Sequence, residues 1–296
     1  MSNSTTRPVL VGLDGSPTSF EAVRWAAREA SYRAAPLRVV HADVSALSYV
    51  PDTLGTSAPE SANETAREFI RDWLRSAEEI AAAEAPEVEV ETGIRTGSAR
   101  TVLLDESSTA RLVVVGSRGL GSFSGVILGS VAIALCQHGQ TPVAVIREPD
   151  EGAEAVDRPV VVGVDGSRAG EPALRWAFEA ASSRSASLTA VHAWHDLVVG
   201  ELWTREQAER TWESVRADEE RLMSEVLAGW RADYPDVVVH ELVVYGKPAR
   251  LLLEQARNAR LLVVGARGRG GLAGLLLGST SQTLLHHSPC PVVVAR

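Results

Sequence analysis

Cysteine is nearly absent: the 296 residues hold two, Cys136 and Cys290, at non-equivalent places, so neither a disulfide framework nor a four-ligand zinc site is expected. Long apolar runs are missing as well. Stretches such as Leu112 to Val115 and Leu261 to Val264 fall far short of the roughly 20 residues that span a bilayer, so no membrane span is predicted. The stretch Met1 to Pro8 is polar, with neither a basic start followed by an apolar segment nor a small-residue cleavage site, and a cytoplasmic protein is expected. There is no basic surplus either, since the net charge of -9 argues against a general affinity for nucleic acid. What is present, 45% hydrophobic and 23% charged residues, suits a chain that buries full cores, and its length predicts two domains.

An internal repeat supplies the organisation. Val11-Gly12-Leu13-Asp14-Gly15-Ser16 returns as Val162-Gly163-Val164-Asp165-Gly166-Ser167, an offset of 151 residues from Asp14 to Asp165. Arg24-Trp25-Ala26 and Val40-His41-Ala42 return at the same offset as Arg175-Trp176-Ala177 and Val191-His192-Ala193. From Gly116 to Gly265 the offset is 149, a net deletion assigned to the Ser-, Pro- and Thr-rich stretch Ser45 to Ser61. Arg147 to Pro159, with two prolines, a glycine and five acids, has linker chemistry. Domains over 1–148 and 158–296 with a linker at 149–157 are therefore expected.

Short β-branched runs alternate with helical stretches in each half, which predicts an α/β fold with a parallel sheet covered on both faces. The strands read Val9 to Leu13, Leu37 to Asp43, Val88 to Ile94, Leu112 to Gly116 and Val143 to Ile146. The second half repeats them at Val160 to Val164, Leu188 to Ala193, Val237 to Val244, Leu261 to Gly265 and Val292 to Val294. Ser16 before Pro17 reads as a helix cap and first-turn proline, and Trp25 and Trp176, mid-helix among apolar neighbours, read as core rather than as stacking platforms.

The chemistry follows the fourth strand of each half. Gly116-Ser117-Arg118-Gly119, nine residues, then Gly129-Ser130 is matched by Gly265-Ala266-Arg267-Gly268, nine residues, then Gly278-Ser279. Glycines at a strand end let backbone approach an anion, and a Gly-Ser pair opening a helix offers free amides and a hydroxyl to phosphate. Ser130 and Ser279 also fit as plain helix caps; the repeat at identical spacing favours anion binding. Neither Ser107 to Arg147 nor Gln255 to Arg296 contains an Asp or Glu, although the chain has 38 acids, while Arg111, Arg118, Arg257, Arg260, Arg267 and Arg269 stay. These stretches should be locally hospitable to phosphate.

Two other nucleotide signatures fail. Gly246-Lys247 is followed by Pro248, not by the hydroxyl residue of a P-loop. Gly268-x-Gly270-x-x-Ala273 follows the wrong strand for a dinucleotide fingerprint and has no acid about 20 residues on, so a dehydrogenase is not expected.

With Asp14 and Asp165 ending the first strands and the Gly-x2-Gly-x9-Gly-Ser motif in both halves, the chain resembles the universal stress proteins of the tandem, ATP-binding type found in actinobacteria. The resemblance spans nearly the whole chain. It implies two doubly wound domains, each a five-stranded parallel sheet in the order 3-2-1-4-5, with a nucleotide across the ends of the first and fourth strands. By that resemblance Asp14 and Asp165 would sit near the ribose or a phosphate-bound Mg2+. Gly116, Ser117, Arg118, Gly119, Gly129, Ser130 and Val131, with Gly265, Ala266, Arg267, Gly268, Gly278, Ser279 and Thr280, would line the phosphates. Gly12 and Gly163 would give adenosine room, backbone around Ala42 and Ala193 would meet the adenine edge, and Asp196 would join the second site.

Asp-Gly-Ser after a strand is also good turn chemistry, a structural alternative for Asp14 and Asp165. His41 and His192 read as packed or hydrogen-bonded residues, and His286-His287 lacks metal-ligand company. The expected function is an ATP-binding regulator of stress or dormancy; a slow ATPase and a nucleotide-free interaction module are the alternatives. The last strand of each half is expected at a sheet edge, where pairing within the chain or in a homodimer would cover it. Gly116→Ala or Asp14→Glu is expected to weaken binding in the first half with the fold intact.

Overall fold

The parallel strands need both faces covered, and their sequences are apolar enough to demand it: VLVG, LVVVG and VAVI in the first half, VVVGV, LLVVG and VVVA in the second. The computed structural model describes residues 7–44, 60–119, 128–147, 158–194, 205–268 and 276–296. The chain divides into two compact units, Met1–Pro149 and Asp150–Arg296. The stretch assigned to the deletion, Ser45 to Ser61, lies largely outside the described residues, and the linker at 149–157 lies wholly outside them.

The first unit runs β1 (Val9–Gly12), α1 (Pro17–Tyr32), β2 (Leu37–Asp43), α2 (Glu60–Glu84), β3 (Val90–Thr96), α3 (Ala99–Ser107), β4 (Leu112–Gly116), α4 (Ser130–His138), β5 (Val143–Ile146). The second runs β6 (Val160–Val164), a 3-10 turn (Arg168–Gly170), α5 (Glu171–Ser183), β7 (Leu188–Trp194), α6 (Arg205–Asp233), β8 (Val239–Tyr245), α7 (Pro248–Ala256), β9 (Leu261–Gly265), α8 (Ser279–His287), β10 (Val292–Ala295). Within the first unit the strand order is β3-β2-β1-β4-β5, and within the second it is β8-β7-β6-β9-β10. Within each unit the pairings are parallel, with Val9 opposite both Leu37 and Leu112 in one and Val160 opposite both Leu188 and Leu261 in the other.

Strand order decides where the helices go. Right-handed crossovers running from β1 out to β3 put α1 and α2 on one face. The return to β4 on the other side of β1 puts α3 and α4 on the opposite face. The packing agrees, for α1 lies against α2 and α3 against α4. The loops after β1 and β4 therefore leave neighbouring strand ends in opposite directions and open a crevice between them, as do those after β6 and β9.

Two strands begin later than their sequences suggest. Val88 and Val237 donate backbone hydrogen bonds to Ala85 and Tyr234, in the turns that close α2 and α6 around Pro86 and Pro235, so β3 starts at Val90 and β8 at Val239. Trp176 is buried and Trp25 half-buried among the helix contacts, in keeping with packing roles.

At the far end of α2, Glu84 receives Arg28 Nε at 2.6 Å and Arg24 Nε at 3.0 Å, clipping α2 to α1. The Arg28 hydrogen bond, foremost, holds the Glu84 carboxyl below its usual range, with both guanidinium charges adding to the effect. A depressed carboxyl pKa stabilises the fold above the unfolded value and ceases to do so as pH falls through the folded one. Glu84→Gln should cost about 0.5–1 kcal/mol at neutral pH by urea denaturation. The gap from the unmodified chain should close in titrations below about pH 4.

Candidate functional site

Beyond β4 the backbone makes a pinned excursion. Ser117 N donates to Ile146 O at 2.7 Å, carrying the β4–β5 ladder one residue further, and Gly129 N returns to Ser117 O at 2.7 Å. The second unit repeats both bonds, Ala266 N to Ala295 O at 2.9 Å and Gly278 N to Ala266 O at 2.8 Å. The nine-residue spacer thus closes on itself at its neck and delivers a helix start to the end of the strand it left. The tips, residues 120–127 and 269–275, lie outside the described residues, Arg269 among them.

Each of these helices begins on an N-cap glycine without a side-chain cap: Gly129 at φ -71°, ψ 147° and Gly278 at φ -70°, ψ 149°. Any residue adopts those angles. A Cβ at Gly129 would lie 3.6 Å from Ser117 O, and one at Gly278 would lie 3.5 Å from Ala266 O, ordinary contact distances. Neither the backbone conformation nor the packing among the described residues asks for glycine here, and Ser, Thr, Asp or Asn would cap better. Ser130 and Ser279 are the first helical residues, exposed, and so not the caps that the sequence also allowed. The first-turn amides, including those of Val131 and Thr280, have no intrahelical acceptor. They carry the positive end of the helix dipole toward the crevice.

The other motif glycines do have local causes. A Cβ at Gly116 would lie 2.8 Å from Thr18 Oγ1 and 2.9 Å from the Thr18 backbone carbon, so Gly116 is needed for α1 to seat. Gly116→Ala is therefore not the fold-neutral change that the sequence suggested. Gly265 faces the Arg267 carbonyl at 3.0 Å in the same construction. At Gly119 a Cβ would run into Asp14 Oδ2, and at Gly268 it would lie 2.8 Å from Asp165 Oδ2. Each aspartate thus bridges two loops. Asp14 Oδ1 accepts Ser16 N at 3.0 Å and Ser16 Oγ at 2.6 Å, Asp165 Oδ1 accepts Ser167 N at 2.9 Å and Ser167 Oγ at 2.8 Å, and the other oxygen lies against the motif glycine. Turn chemistry and a place at the crevice coexist in one side chain.

Arg118 and Arg267 are exposed at the motif, whereas the Ser117 and Ala266 side chains are buried beneath it. At Gly12 and Gly163 the missing side chains make room for protein: a Cβ would lie 2.8 Å from Leu103 Cδ1 in α3 and 3.1 Å from Leu252 Cδ1 in α7. Ala42 and Ala193 sit half-buried at the penultimate positions of β2 and β7. Asp196 lies outside the described residues. The two histidines hold the first strand's end, with Nδ1–H donating to Leu13 O from His41 and to Val164 O from His192, both at 2.8 Å. His192 Nε2 also meets Glu219 Oε2 at 2.8 Å, so its role is structural in the same sense. Among the described residues no three His, Cys, Asp or Glu side chains cluster as metal ligands, and no helix is long and apolar enough to cross a membrane.

One residue at the crevice escaped the sequence reading. Thr18, buried in the first turn of α1, donates its hydroxyl to the Arg118 carbonyl at 2.5 Å and joins the β1 turn to the motif loop. The only trace in the sequence is that the repeat carries Ala169 there.

The model of the Universal stress protein family matches residues 5–147 and 158–296. A universal stress protein of Mycolicibacterium smegmatis is 39% identical over 99% of this chain and 98% of its own length. One from Mycobacterium tuberculosis is 39% identical over 100% of this chain and 98% of its own. Among solved structures, a universal stress protein from Archaeoglobus fulgidus superposes with a TM-score of 0.68 at 22% identity, covering 98% of both chains, a likeness of fold.

The glycine geometry predicts a contrast within one motif. Gly116→Ala should lower the stability of the first unit by about 1–3 kcal/mol through the clash with Thr18. Gly129→Ala should cost only about 0.5 kcal/mol, and urea denaturation of the two variants distinguishes them.

Proposed function

The chain belongs to the universal stress protein family, and from that membership and the two crevices we propose that it binds ATP, one molecule in each unit, and acts as a nucleotide-dependent regulator. The observation that carries the reading is the pair of uncapped N-cap glycines, Gly129 and Gly278, at positions where neither the backbone angles nor the described residues around them have a use for glycine. A polyphosphate gives them one. Its oxygens would accept the first-turn amides of α4 and α8, with the exposed Arg118 and Arg267 adding charge and Ser130 and Ser279 adding hydroxyl donors. Asp14 and Asp165 would meet the ribose or a Mg2+ carried by the phosphates, and backbone near Ala42 and Ala193 the adenine edge.

Binding and regulation are favoured over hydrolysis by what the aspartates do. Each is committed through Oδ1 to holding a Ser turn, a positioning task rather than that of a base aligned on water. A homodimer through the terminal strands is part of the same proposal, and light scattering with and without ATP reads it.

Isothermal titration of the emptied chain with Mg-ATP tests the assignment. Gly129→Ala should weaken one of two binding events about tenfold, and Gly278→Ala should weaken the other, because each added methyl crowds one helix start. Unaltered affinities in both variants would contradict the assignment of phosphates to these helix starts.

A further inference from the structure

The two units share their motif but not the parts that hold it. In the first unit the buried Thr18 hydroxyl ties the turn after β1 to the motif loop, 2.5 Å from the Arg118 carbonyl. From the other side, the indole of Trp73 in α2 lies against Gly15, so closely that a Cβ there would run into it. The same indole touches the His41 ring, with centroids 5.7 Å apart. The Asp14-Gly15-Ser16 turn is thus gripped front and back. Behind it α1 begins directly at Pro17, with Ser16 as an N-cap that accepts Ser19 N.

In the second unit neither of these two side chains recurs. Ala169 stands for Thr18 and has no hydroxyl to offer the motif loop, and Leu222, at the Trp73 position counted from Pro86 and Pro235, replaces the indole. Arg168 takes the place of Pro17 and Glu171 that of Phe20, both exposed. Behind the Asp165 turn lies a pocket of about 190 Å³, lined by Val164, Gly166, Arg168, Glu171, Leu174, Val226 and Trp230. The start of the following helix also differs: a 3-10 turn at Arg168–Gly170 intervenes before α5, and Ser167 makes no side-chain cap bond.

We propose that the two nucleotide sites are unequal, the first preformed and tight, the second weaker and ordered by its ligand, with Thr18 and Trp73 as the positioning residues that create the difference. The inference rests on the nucleotide reading above. A site that must first adopt its binding geometry has its apparent affinity reduced by the fraction of time it is competent, whereas a gripped one does not. Asp165 both lines the cavity and lies against Gly268, so slack in this turn passes directly to the motif. Sites so graded would let one chain respond to ATP over two concentration ranges, the second unit changing state while the first stays filled.

The test measures each site in the full chain with the other obstructed at its N-cap, Gly278→Val for reading the first and Gly129→Val for reading the second, by titration with Mg-ATP. The first site should bind about tenfold more tightly than the second. Thr18→Ala should bring it to within about threefold of the second, Thr18→Ser should restore it, and Ala169→Thr should tighten the second site. The Ser and Thr variants guard against a mere folding defect, since neither removes a native contact wholesale. Equal affinities in the two backgrounds, or a first site indifferent to Thr18→Ala, would overturn the inference while leaving nucleotide binding in place. No heat with the unmodified chain, first emptied of any nucleotide it carries, would instead overturn nucleotide binding and the inequality with it.

Discussion

The structure turns on the close approach of two loops at the ends of β1 and β4, where one carboxylate oxygen of Asp14 holds its own turn and the other lies against Gly119. Adjacent parallel strands whose connections leave on opposite faces create a crevice but do not shape it. The aspartate shapes it by setting the spacing between the loops, and the glycine makes that spacing available. In the second unit Asp165 and Gly268 repeat the arrangement with different surroundings, so the contact is common to both halves and its support is not.

Much of this was legible in the sequence because it is written locally. A buried parallel strand needs apolar residues on both faces, so Leu112 to Gly116 and Val160 to Val164 announce themselves with their correct ends. The late starts of β3 and β8 were missed because Val88 and Val237 have the strand's composition but are spent in turns set by the prolines before them. The motif glycines stood out together, yet their separate causes did not. Gly116 yields to Thr18 and Gly119 to Asp14, while Gly129 meets no close atom among the described residues, a distinction that depends on chain segments about a hundred residues away. For the same reason Thr18 passed as an ordinary helix residue, and Trp73 gave no sign that its indole covers Gly15.

Duplication with conserved spacing but altered support separates what the fold needs from what a ligand would need. Every backbone bond at the motif neck recurs, and so do the glycine cap and the aspartate turn. The two side chains that grip that turn do not recur, and a pocket lies behind the second turn. A chain holding two copies of a site is free to keep one rigid and loosen the other, a route to graded response that needs no second kind of domain.

The most direct measurement is to denature the purified protein and identify and count what it releases, by chromatography and mass spectrometry, followed by titration of the emptied chain with Mg-ATP. The account predicts adenine nucleotide, chiefly ATP, at between one and about two per chain, the shortfall from two reflecting the looser second site. A chain that releases no nucleotide and gives no heat with ATP would contradict it, and the uncapped helix starts would then need another anion or another explanation.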